Sequence, residues 1–110
     1  MIYQNQHVGN GLHLVRLSGP LNAHRAEQIR HHFSILAGQG IKQVIVDLAE
    51  VPLIDGRGLS ALVAAYKSFG SQPQNFRLAA LQEQPQLLFA LTGFDRIFHL
   101  FEHVEQGLVA

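Results

Sequence analysis

Apolar positions along this chain switch between strand-like and helix-like spacing, and each switch marks an element. Val44-Ile45-Val46 is a continuous β-branched run. Such a run predicts a strand buried on both faces, here over residues 42–48. Residues 1–8 read as a weak first strand, and Asn10-Gly11 is a two-residue hairpin signal. Residues 12–17 then alternate imperfectly, with Leu12, Leu14 and Arg16 on one face. Ser18-Gly19-Pro20 breaks that strand. Asn22 is a helix cap, and Ala26, Ile29, Phe33 and Leu36 follow at helical spacing. Gly38 and Gly40 stop this helix.

After the buried strand, Val51-Pro52-Leu53-Ile54 turns back toward the core. Asp55-Gly56-Arg57-Gly58 reads as a tight glycine turn. A second helix starts at Leu59, with Leu59, Leu62, Val63 and Tyr66 as its apolar stripe. Residues 76–81 read as a strand, and residues 84–91 as a helix carrying Leu87, Leu88 and Leu91. Residues 97–101 read as a last strand. Val104 and Leu108 are the only well-spaced apolar positions of a frayed closing helix. The order predicts an α/β protein, a mixed β-sheet of an initial hairpin plus parallel strands, with about four helices. In such sheets ligands and partners meet the loops at the carboxyl ends of parallel strands, where the Asp55 turn falls.

Composition narrows the function classes. A chain of 110 residues is the size of one domain, spanning residues 1–110. Hydrophobic residues make up 47% and charged residues 15%, which fits a packed core and not disorder. Lys+Arg and Asp+Glu are both 8, so nothing favours nucleic acid or anionic membrane as a partner. Zero net charge on an oily chain favours a protein partner or self-association as a homodimer. There is no cysteine, hence no disulfide or thiolate chemistry. No basic region precedes an apolar run at the start, and no apolar run reaches the roughly 18 residues of a membrane span. The expectation is a cytoplasmic protein without direct membrane insertion.

The Asp55 turn is the first candidate for chemistry. Asp55 can cap the following helix, while Arg57 opposes the helix dipole by a few tenths of a kcal/mol. A phosphate loop would end in Gly-Lys-Ser/Thr, which is missing, and Asp55 would repel the anion. Asp47 and Asp55 are weighed as an acid–base pair against separate structural duties, and the structural duties are favoured. His31-His32 are adjacent, so they cannot hold one ion from a helix. His99 and His103 have zinc-pair spacing, but His99 falls in a predicted strand. Ser60 and Ser68 lack a nucleophile elbow. The residues predict no enzyme, no metal and no cofactor.

Four segments carry a family resemblance. Leu17-Ser18-Gly19-Pro20-Leu21-Asn22-Ala23 resembles an L-x-G-x-L-D-A segment, and Val46-Asp47-Leu48-Ala49-Glu50-Val51 resembles D-L-S-x-V. Ile54-Asp55-Gly56-Arg57-Gly58-Leu59 falls on I-D-S-S-G-L. Leu91-Thr92-Gly93-Phe94-Asp95-Arg96-Ile97-Phe98 resembles L-x-G-L-D-x-I-F. In this order they resemble the STAS domain family of bacterial anti-sigma factor antagonists.

The resemblance implies a non-enzymatic module that binds an anti-sigma factor of serine-kinase type or a related regulatory protein. In that family the kinase phosphorylates the second serine of the D-S-S-G turn and the complex separates. A phosphate adds about −1.5 to −2 charge at such an interface. Here that phosphoacceptor position is Arg57 and the preceding serine is Gly56, so the fold carries over and the switch does not. Ser60 is the nearest remaining hydroxyl. The implied partner-binding residues are Asn22, Asp55, Gly56, Arg57, Gly58, Leu59 and Leu62. The resemblance leaves two other readings open: a cytoplasmic accessory subunit of an ABC lipid-transport system, and a small-ligand sensor.

Overall fold

The computed structural model describes residues 3–9 and 11–110. In chain order its elements are β1 (Tyr3–His7), β2 (Leu12–Ser18), α1 (Ala23–Gly38), β3 (Gln43–Glu50) and α2 (Gly56–Ser68). They continue as β4 (Phe76–Ala79), α3 (Glu83–Thr92), β5 (His99–Phe101) and α4 (Val104–Leu108). The five strands form one mixed sheet in the order β1-β2-β3-β4-β5. β1 and β2 are antiparallel, and every other pair is parallel. The α/β architecture expected from the sequence is the one observed.

The expected strand start at Met1 and the Asn10 corner of the hairpin lie outside the described residues. The hairpin itself is longer than a two-residue turn. Val8 N–H donates to the Leu12 carbonyl at 2.9 Å, and Leu12 N–H donates to the Gly9 carbonyl at 3.0 Å. Gly9 and Gly11 take φ of +100° and +76°, so both glycines supply the left-handed backbone.

The sheet is buried on both faces, as the Val44-Ile45-Val46 run requires. Val15, Leu17, Val44, Val46 and Leu48 face the main core, where α1 contributes Ile29, Phe33 and Leu36. Helix α2 adds Leu59, Ala61, Leu62 and Ala65. Leu12, Leu14, Ile45 and Ala79 point to the other face, under Val104 and Leu108. The expected frayed end is therefore a cover for a second apolar cluster. Arg77, which the sequence pattern did not single out, is buried beside it. Its guanidinium donates to the carbonyls of Gln74 and Gly107, tying β4 to α4.

Of the expected stripe Leu87, Leu88 and Leu91, Leu88 packs against the main core and the other two are turned outward. In α3 the buried residues are Pro85 and Phe89. Leu87 and Leu91 are 57% and 76% exposed. The Phe89 ring meets Phe98 at 5.5 Å between centroids, and this contact sets the helix rotation.

Candidate functional site

The loops that leave β2 and β3 run side by side beyond the sheet. Gly19 N–H donates to the Glu50 carbonyl, and Leu21 N–H to the Leu53 carbonyl, both at 2.9 Å. Leu21 and Ile54 form a parallel bridge. This zipper carries the strand pairing outward and brings the starts of α1 and α2 together.

Asp55 holds the junction. It caps α2: one carboxylate oxygen accepts from Gly58 N–H at 2.8 Å. The other oxygen accepts from Ala23 N–H, in the first turn of α1, at 3.2 Å. Asn22 caps the same helix through His24 N–H at 3.1 Å. A single negative charge thus meets the positive ends of two helices.

The glycines act differently from a tight turn. Gly56 and Gly58 lie inside α2, and neither has positive φ. The expectation that a separate turn precedes a helix starting at Leu59 is corrected: the Gly56-Arg57-Gly58 segment is the first helical turn. Gly58 is required by close approach. A Cβ there would press on the Leu21 carbonyl group, 2.7 Å from its carbon, and lie 2.9 Å from the Leu21 Cβ. The Leu21 oxygen is already fixed by Asp55 N–H at 3.0 Å. A Cβ at Gly56 would meet nothing within 4 Å.

Three groups of expected site residues separate by exposure. Gly56 and Arg57 are exposed, with Ser60 one turn further on. Asn22 and Asp55 are half-buried and hold the helix starts. Leu59 and Leu62 are 6% and 0% exposed, so their side chains belong to the core and seat α2. Arg57 makes no ion pair or hydrogen bond among the described residues. It lines an open cleft of about 590 Å³ with Glu27, Arg30, Gly56 and Ser60, between the two helix starts.

Sequence reasoning missed a brace for this loop. The Gln84 side chain accepts from Ile54 N–H at 2.9 Å and donates to the Ile54 carbonyl at 3.0 Å. Gln82 donates to the Ala49 carbonyl at 2.7 Å. Both come from the start of α3, about thirty residues away in sequence, and no local pattern marks them.

The other candidates resolve into structure. Asp47 accepts from Arg16 at 3.3 Å and from Ala49 N–H at 3.0 Å. It shares strand parity with Ile45 on the α4 face, so Asp47 and Asp55 serve opposite faces of the sheet. His99 lies in β5 and His103 precedes α4, so their spacing is not helical. Among the described residues no group of three or more His, Asp or Glu could hold a metal ion. No helix among them is long and apolar enough to cross a membrane. The His7 and His13 rings pack at 4.9 Å between centroids. Burial, then the neighbouring His7, pushes the His13 pKa below 6.5. His32 is lowered likewise by burial and then by His31.

Sheet order, strand directions and a doubly tied helix start define a class of small α/β domains. The STAS domain family model matches residues 2–107, and the chain belongs to that family. An anti-sigma-B factor antagonist of Staphylococcus epidermidis is 25% identical over 91 residues, covering 83% of this chain and 84% of that protein. The crystal structure of a provisionally assigned anti-sigma factor antagonist from Thermotoga maritima superposes with a TM-score of 0.88 at 21% identity, covering 97% of this chain and 92% of that one. The phosphorylated Bacillus cell fate determinant SpoIIAA superposes with a TM-score of 0.73 at 19% identity, covering 98% and 97%.

Proposed function

We propose that this chain is a non-enzymatic protein-interaction module of the anti-sigma factor antagonist type. It binds an anti-sigma factor of serine-kinase type, or a related regulatory protein, and so acts on transcription. The observation that supports this most is the double anchoring of Asp55 on Gly58 and Ala23. It holds the start of α2 rigidly, with Gly56, Arg57 and Ser60 facing solvent. A fixed, exposed helix start suits docking, since little ordering entropy is lost on binding. Asn22 and Asp55 set its shape, and Gly58, Leu59 and Leu62 seat it.

Arg57 stands at the position of the phosphorylated serine in the family pattern. A guanidinium accepts no phosphate from a serine kinase and carries the opposite charge. The surface therefore binds its partner without being released by phosphorylation there. Pull-down against candidate kinase-type anti-sigma factors, followed by a phosphate incorporation assay, tests this. Capture without labelling at the turn is expected. Efficient labelling of residues 55–60, or capture unchanged by Arg57→Glu, would count against it.

A further inference from the structure

The formal charge of the chain is zero, but the charges are segregated. Helices α1 and α2 carry Arg25, Arg30, Arg57 and Lys67 against the single carboxylate of Glu27, a formal +3. Residues 83–105 carry Glu83, Asp95, Glu102 and Glu105 against Arg96, a formal −3. A neutral composition thus hides a basic helical layer.

The basic layer has a shape. The cleft at the helix starts and a second cleft further along both include Glu27 and Arg30, so they join into one groove between α1 and α2. The groove runs from Arg57 to Ser34 and Ser68. It is open because α2 presents Ser60, Ala64 and Ser68, small residues four apart, along its length. Arg30 and Arg57 line it, and neither has an ion-pair partner among the described residues. Of the two acids that line the cleft at the helix starts, Asp55 is committed to the amides of Gly58 and Ala23. The two helix dipoles take up its charge, and Glu27 is then the one other carboxylate in the groove; it forms no ion pair among the described residues, so two guanidiniums stand against one acid.

We infer that the α1–α2 groove docks an acidic segment of the protein partner, with Arg30 and Arg57 receiving its carboxylates. This rests on the reading of the chain as a protein-binding module and names the chemistry of what it binds. Both clefts are open and run on into one another, which suits an extended segment more than a small enclosed anion, and guanidiniums pair well with carboxylates. Arg57 then belongs to the docking chemistry and is more than a lost serine.

A short peptide of glutamate and leucine, with a lysine-and-leucine peptide as control, tests the groove by amide chemical-shift titration of the intact chain. The acidic peptide should shift residues of α1 and α2 around Arg30, Arg57 and Ser60. Binding should weaken about tenfold in Arg30→Glu. It should fade near 1 M salt, where the screening length is about 3 Å. The inference is overturned if the lysine peptide binds as well, or if the shifts map elsewhere. It is also overturned if inorganic phosphate alone reproduces the shifts, or if they follow protein concentration and report a second copy. The two readings fail separately. Loss of anti-sigma factor capture in Arg57→Glu but not in Arg30→Glu keeps the proposed function and removes the groove. Peptide binding without capture of any anti-sigma factor does the reverse.

Discussion

Asp55 and Ala23 are joined by a 3.2 Å hydrogen bond across 32 residues of sequence, so the residue that starts α2 also holds the start of α1. Losing this carboxylate orphans the Gly58 amide as well. Two caps at about 1 kcal/mol each give an expected loss of roughly 2 kcal/mol for Asp55→Ala. Asp55→Asn retains one oxygen acceptor and should lose less. Urea unfolding midpoints at constant m-value check both.

The two glycines of the first turn of α2 should respond in opposite directions. Gly58→Ala drives a Cβ into the Leu21 backbone, which cannot yield without breaking the bond to Asp55 N–H. A cost of about 1–3 kcal/mol is expected from overpacking. At Gly56 the space is open, and Ala should be neutral or stabilising by up to about 1 kcal/mol through helix propensity. A matched pair of thermal melts separates the two outcomes.

Gln84 grips Ile54 through both of its backbone groups. Gln84→Ala leaves a buried amide without its acceptor and should cost about 1–3 kcal/mol. Amide exchange should quicken around residues 51–58 while β1 and β2 keep their protection. Uniform loosening of the whole chain would show that the brace is not local.

Stability should fall on mild acidification. His13 and His32 both have folded pKa values below the ordinary 6.5, through burial first and a neighbouring histidine second. The unfolded chain therefore binds protons before the folded chain does as pH drops. Their contribution is intact above about 6.5 and is lost as pH falls below it, through the lowered folded values. Melting temperatures at about pH 8 and about pH 5.5 should show the drop. His13→Gln should shrink it.

Local chemistry made much of this fold readable in advance. The β-branched run at 44–46 specified a doubly buried strand, and Asn22 and Asp55 were legible as caps because capping is a short-range rule. What was missed depends on long-range packing. Leu87 and Leu91 have the spacing of a buried stripe, yet the Phe89–Phe98 contact turns α3 so that they face out. Gly58 looked like a turn residue, and only the approach of Leu21 explains it. The Gln84 brace and the charge separation between α1–α2 and the later elements likewise exist only once the chain is folded.

The most direct test of the central claim is the affinity of the purified chain for a kinase-type anti-sigma factor, measured for wild type and Arg57→Glu. The wild type should bind without acquiring phosphate at residues 55–60. Arg57→Glu should bind at least about tenfold more weakly, a loss of about 1.4 kcal/mol. Its unfolding midpoint should not fall, since Arg57 makes no ion pair or hydrogen bond among the described residues and a glutamate in the first turn of α2 suits the helix dipole. Equal affinity for both forms, or phosphate on that turn in the wild type, would contradict the account.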